Sequence, residues 1–278
     1  MSTRPILVVA CLVTLLGCSG EPAGEPDSQP EAQPSQASAE ATPSPIPSVD
    51  AGEKAWDPAL GTATVSGSVK FDGKPPRSRA IDMAGADEKC AELHGGERIK
   101  PESVIVNDNG TLRNVFVWVK SGIEGWSFPM PEGDALLDQK GCMYEPHVQG
   151  MRQGQTLVIK TSDPTAHNVH GYAKVNRPFN RSQPPGASDI MVKMKRDEAS
   201  PPMKVKCDIH PWMNSFVAVV PHPYFFVTGA DGSFKLENLP AGTYTIEAWH
   251  EKYKTIEQTV TVGDGKTQTL EFTFPQKS

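Results

Sequence analysis

The chain has only five cysteines in 278 residues and no excess of basic charge. Lys and Arg number 27 against 33 Asp and Glu, a net of -6, and no basic patch argues for nucleic acid. Long hydrophobic runs are missing too: the apolar stretch 6–16 falls short of the roughly 20 residues that cross a bilayer. No Ser/His/Asp arrangement, paired carboxylates or phosphate-binding loop stands out, so the expectation is a protein that is not an enzyme. The run Cys207-Asp208-Ile209-His210 lacks the second cysteine of a haem attachment motif. Residues 19–58 have almost no bulky apolar side chain before Trp56, and cannot bury enough surface to offset the entropy of ordering.

What is present begins with an export signal. Residues 1–18 carry Arg4, then the apolar run, and end Leu15-Leu16-Gly17-Cys18, which resembles a bacterial lipobox. Cys18 is expected to become the lipidated first residue. Loss of Arg4 with the signal would leave 26 minus 33, a net of -7. The expectation is an exported protein, periplasmic or on the cell surface, held on a membrane through its lipid anchor. Residues 19–58 read as a disordered Pro/Ala/Ser/Glu tether, averaging about 35 Å end to end as a flexible coil.

The rest reads as all-β. Residues 62–71 alternate, with Val65, Val69 and Phe71 on one face, before the turn residues Asp72-Gly73. Residues 104–106 and 115–119 read as two further strands, joined as a hairpin through Asn107-Asp108-Asn109-Gly110. Between the first strand and this hairpin, residues 87–94 have a helical look. After Pro221, short strands and turn residues alternate to the end of the chain.

Chemistry concentrates in one loop. Cys207, His210 and Met213 have the spacing C-x2-H-x2-M, between short expected strands at 203–206 and 216–220. With a second histidine they would form the trigonal His2Cys set with a weak axial Met that electron-transfer copper uses. That histidine should lie on a neighbouring strand, and Thr165-Ala166-His167-Asn168-Val169-His170 follows the strand-like run 155–161. His167 is the choice. His170 is its rival, because residues three apart on a strand face opposite sides and only one can point at the metal.

His167-Asn168-Val169-His170, followed by Cys207-Asp208-Ile209-His210-Pro211-Trp212-Met213, resembles the cupredoxins, with a ligand loop most similar to that of amicyanin. The resemblance covers residues 133–221. It implies a Greek-key β-sandwich holding one type 1 copper through His167, Cys207, His210 and Met213, with Asn168 tying the ligand loops together. It also implies one-electron transfer to a redox partner protein. Trp212 and Phe216 would supply apolar cover, and an exposed edge of His210 would be the electron's exit. The segment 171–200, rich in Pro, Lys and Arg, departs from the family pattern.

The string Thr228-Gly229-Ala230-Asp231-Gly232-Ser233-Phe234, continued by Leu239-Pro240-Ala241-Gly242-Thr243-Tyr244, resembles the carboxypeptidase regulatory-like, or transthyretin-like, sandwich, here at 222–278. That family usually opens with a strand like 65–71. Residues 59–132 are therefore expected to belong to the C-terminal sandwich, with the cupredoxin part inserted. Other readings are a copper-delivery lipoprotein without electron transfer, or a structural or carbohydrate-binding lipoprotein with a vestigial site.

With Cys11 lost in the signal and Cys18 lipidated, Cys90, Cys142 and Cys207 remain in an oxidising compartment. A Cys90–Cys142 disulfide leaves Cys207 as the thiolate a metal requires. The rival is a second metal site in which Cys90 or Cys142 joins His94 or His147. Thiol titration of the metal-free, unreduced protein should find one free thiol; three would refute the pairing.

Overall fold

The computed structural model describes residues 54–276, so the expected signal peptide with Cys18, and the expected tether up to residue 53, lie outside the described residues. The described chain is almost all β, with one short helix at Glu88–Glu92 and a 3-10 turn at Pro58–Leu60.

Side chains alternate across a strand, and in Ala63–Asp72 this buries Ala63, Val65, Val69 and Phe71 on one face. The strand is central in its sheet. Ser233–Leu239 pairs with it antiparallel on one side and Thr267–Pro275 pairs parallel on the other. Gly67 permits the parallel approach, since a Cβ there would collide with the Leu270 carbonyl. Opposite lies a four-stranded sheet in the order Phe225–Val227, Phe116–Ser121, Gly242–His250, Lys254–Val262. The two sheets enclose Val65, Val69, Val117, Val119, Phe234, Ile246 and Phe272. Full burial of such side chains contributes about 1.5–3 kcal/mol each. One sandwich, the outer one, thus uses strands from both sides of the intervening chain.

That intervening chain forms an inserted sandwich. Its five-stranded sheet runs Phe179–Gln183, His167–Tyr172, Glu198–Lys206, Asn214–Val220, Val148–Arg152. Its four-stranded sheet runs Ile190–Lys193, Thr156–Thr161, Ala135–Lys140, Met143–Glu145. Leu137, Tyr144, Leu157, Ile159, Val169, Val205 and Val217 fill the space between. Phe216, Ala218 and Val220 point the other way, onto Phe116 and Trp249 of the outer sandwich. At this joint Gly150 lets the Phe225 ring close in, where a Cβ would collide.

Three local expectations are corrected. The tether stops before residue 58: Lys54–Ala55 pairs with Trp126–Ser127, and Trp56 packs on Trp126 and Phe128 with ring centroids 5.5 and 5.4 Å away. Trp56 supplies the large apolar surface that this contact buries. Residues 104–106 form no strand. The Asn107–Gly110 turn closes on a single bridge, Val106 to Leu112. Asn114, at φ 63°, then breaks the run, and Phe116–Ser121 pairs instead with Phe225–Val227 and Gly242–His250. The helical stretch shortens to Glu88–Glu92, started by Asp87, whose side chain accepts the Lys89 N–H at 2.9 Å.

Two buried histidines sit in the outer sandwich and its joint. His222 donates through Nε2 to the Val119 carbonyl at 2.8 Å and accepts the Tyr224 N–H at Nδ1. Burial lowers both His222 and His250 from 6.5 to about 4. Their folded values lie below the unfolded one, so the stability they contribute is present above pH 6.5 and lost as pH falls toward 4. Each should cost about 3 kcal/mol across that window. Urea midpoints should therefore drop between pH 7 and 4.5, and less steeply in His222→Gln; equal slopes would mean that His222 is already charged in the fold.

Candidate metal centre

Two loops at one end of the inserted sandwich build the site. His167 opens the strand His167–Tyr172, and Cys207 follows the end of Glu198–Lys206, with which that strand pairs antiparallel. The loop from Cys207 to Met213 is tight. Its Cys207 N–H donates to the Met213 carbonyl at 3.2 Å, and the Met213 N–H donates to the His210 carbonyl at 3.0 Å. His167, Cys207, His210 and Met213 are all buried.

The two Nδ1 atoms of His167 and His210 lie 3.1 Å apart, and Cys207 Sγ is 3.7 Å from His210 Nδ1. One ion can reach all three with bonds of about 2.0 Å to nitrogen and 2.3 Å to sulfur. Met213, at the foot of the loop, is fully buried in the same core. His170 points away on the other face. It stacks on Tyr172 at 3.9 Å, with Nδ1 3.0 Å from Asp208 Oδ2. Asn168 bridges the loops: its Oδ1 accepts the Asp208 N–H at 2.8 Å, and its N–H donates to Cys207 Sγ at 3.4 Å. The His210 N–H makes a second donor to that sulfur at 3.4 Å.

Each imidazole has a carboxylate behind it. His167 Nε2 donates to Asp163 Oδ2 at 2.9 Å, and His210 Nε2 donates to Asp87 Oδ2 at 3.2 Å. A carboxylate fixed on the far nitrogen orients a ligand ring and raises its basicity. Asp163 is itself fixed by the N–H groups of Gly141 and Cys142 at 2.7 and 2.8 Å, and Asp87 by the Thr165 hydroxyl at 3.0 Å. Asp163 lies four residues before His167 in the turn that starts the strand, a spacing visible in the chain. Nothing marks Asp87, which is 123 residues from His210.

Burial raises a thiol, but the His167 and His210 rings and the backbone N–H groups outweigh it and lower Cys207 from 9.0 to about 6. Burial likewise lowers His167, yet Asp163 and Cys207 prevail and raise it from 6.5 to about 9. The cluster is thus a thiolate beside an imidazolium, a soft donor ready without losing a further thiol proton.

Two expectations about the surroundings are corrected. His210 has no exposed edge: it is 1% accessible, because the segment around Glu88–Glu92 covers it. Asp87 and Cys90 Sγ approach its Nε2 to 3.2 and 3.5 Å, and Trp212 packs on it, tilted, at 5.3 Å between centroids while donating its indole N–H to the Cys142 carbonyl. Phe216 gives no cover, because strand alternation turns it to the joint between the sandwiches, 5.1 Å from Trp249. Cys90 and Cys142 form a disulfide and Cys207 is the free cysteine among the described residues. Neither bridged sulfur is a thiolate. His94 is bound to the Gly141 carbonyl and His147 to Glu251, both at 2.7 Å, which leaves no second metal site of that kind.

Residues 214–275 match the family model of the carboxypeptidase regulatory-like domain, a minority of the chain. No curated protein matches. Among solved structures, a purple cupredoxin from Nitrosopumilus maritimus is 19% identical over 31% of this chain and 99% of that one, with a TM-score of 0.26. A reduced Cu(I) form of an amicyanin variant is 19% identical over 37% of this chain and 97% of that one, with a TM-score of 0.27. A Cu-containing nitrite reductase from Thermus scotoductus is 16% identical over 32% of this chain and only 23% of that one, at 0.27.

Replacing Asp163 by alanine leaves two backbone N–H groups and one imidazole N–H without their acceptor. Urea unfolding of the metal-free Asp163→Ala protein should show a loss of about 3 kcal/mol. A loss below about 1 kcal/mol would mean the carboxylate does not organise the site.

Proposed function

We propose that the protein is an exported one-electron carrier built on a type 1 copper centre, which His167, Cys207, His210 and Met213 would hold. The observation that carries this reading is the buried trio of two Nδ1 atoms and a thiolate sulfur, 3.1 and 3.7 Å apart. A soft thiolate with two imidazoles and a neighbouring thioether suits copper better than the oxygen-seeking ions. Copper, when bound, supplies the Cu(I)/Cu(II) couple and so stores one electron.

The chain's own residues do the rest. Asp163 and Asp87 hold the ring protons at Nε2 and leave the Nδ1 atoms free to ligate, so the proton on His167 Nδ1 departs on metal entry. The N–H groups of Asn168 and His210 withdraw charge from the Cys207 sulfur, a lever on reduction potential. Tyr144, buried and donating to the Asn168 carbonyl at 2.8 Å, keeps that loop in place. Ligands braced in this way move little between oxidation states, which keeps transfer fast. The chain uses no group for bond-making chemistry in this reading, and it is not an enzyme. Cys18 would anchor it to a membrane through lipid, in the periplasm or at the cell surface, where it meets a redox partner protein.

Adding Cu(II) to the metal-free protein should produce an intense visible sulfur-to-copper absorption, absent in Cys207→Ser and retained in His170→Ala. A colourless wild-type protein, or a band that survives in Cys207→Ser, would refute the assignment.

A further inference from the structure

The segment 171–200, which the copper reading leaves unused, folds into the edges of both sheets of the inserted sandwich. Phe179–Gln183 is the edge strand of the five-stranded sheet and Ile190–Lys193 that of the four-stranded sheet. A cleft of about 650 Å³ opens between them. Arg177, Arg181, Lys193, Lys195 and Arg196 line it, and no carboxylate does. None of these five makes an ion pair among the described residues. Such a concentration of unpaired cations stands out in a chain of net charge -6.

The cleft is built rather than loose. Asn176 Oδ1 accepts the N–H groups of Lys195 and Arg196, both at 3.0 Å, and its Nδ2 donates to the Arg196 carbonyl at 2.8 Å. The nearby carboxylate of Glu198 is consumed: it accepts the N–H groups of Lys174 and Asn176 at 2.6 and 3.0 Å. Two exposed apolar side chains, Val175 and Met191, share the lining at 46% and 64% accessibility.

We propose that this cleft docks an extended acidic segment of a partner protein. Five like charges facing one concavity attract a negative chain and speed its encounter. Edge strands offer backbone groups to an added strand, and Val175 and Met191 take apolar side chains alternating with its carboxylates. Cations lining one concavity between two edge strands suit an extended chain better than a flat anionic bilayer. The place also suits a carrier whose His210 is covered: Arg181 pairs with Val169, between His167 and His170, and Asn180 bonds Asp208, the neighbour of Cys207. The docking inference itself does not require the metal.

The test uses the full chain with Cys18→Ser, so that no lipid contributes, and a fluorescein-labelled peptide of alternating glutamate and valine. Fluorescence anisotropy should show binding that weakens with salt and falls at least about tenfold in Arg181→Glu/Lys195→Glu. Both positions are exposed, so the fold should persist; Arg177→Gln/Arg196→Gln gives a milder second variant, expected to weaken binding by less. The lysine–valine counterpart should not bind. Absence of glutamate-peptide binding, or equal binding by both variants and wild type, overturns the proposal. So does charge-dependent binding to phosphatidylglycerol vesicles or a DNA oligonucleotide without binding of the peptide. Loss of the visible copper band would refute the electron-carrier reading and leave this result untouched.

Discussion

The pairing of Ala63–Asp72 with Thr267–Pro275 holds the architecture together. It joins segments some two hundred residues apart in parallel register, and nine residue pairs run from Thr267↔Thr64 to Pro275↔Asp72. Between them the chain supplies the remaining outer strands and makes the excursion that forms the inserted sandwich before returning. Part of the excursion after the first strand, residues 81–99, packs on the inserted sandwich, while Leu112 and Val115 return to the outer core. The packed part delivers Asp87 and Cys90 to His210. A contact formed so late in the chain carries a large loop-closure cost, and the cores on both sides must repay it.

The metal centre obeys the same logic at smaller scale. Burying a charged thiol or imidazole is costly, and here hydrogen bonds from Asn168, His210 and Asp163 offset that cost. Asp163 serves two purposes, fixing the Gly141–Cys142 turn and His167 together, so the disulfide and the ligand ring share one support. Asp87 does likewise, starting the short helix through one oxygen and holding His210 through the other. The donor cluster is thereby pre-formed in the fold.

The covering of His210 changes where a partner can approach. With that imidazole closed off by a disulfide-held segment, the accessible flank of the site is the one carrying His170, Asp208 and Asn180. The basic cleft continues from this flank along the two edge strands. Burial at one side and unpaired cations at the other make the two flanks of the site unlike one another.

Much of this was legible in the chain. The two-residue alternation of Val65, Val69 and Phe71 and the spacing from Cys207 to Met213 are local patterns, and local backbone geometry decides what they become. Strand alternation said that only one of His167 and His170 could face the donor loop, and only the fold shows His167 beside His210 and His170 turned to Asp208. An odd count of thiols left one cysteine unpaired, and reserving Cys207 for a metal made Cys90–Cys142 the expected disulfide, which the structure contains. Phe216 was misplaced because adjacency in sequence was taken for adjacency to the site, whereas its strand turns it to the joint. Asp87 over His210, the loss of an exposed imidazole edge and the convergence of five cations from 177 to 196 depend on chain segments far apart in sequence or on separate sheets. Sequence alone determined the strand periodicity, the Cys207–His210–Met213 loop and the two sandwich signatures, since these arise within a few residues. Only the tertiary structure decided which distant groups face those donors, because that depends on how the sheets close around each other and not on any local preference.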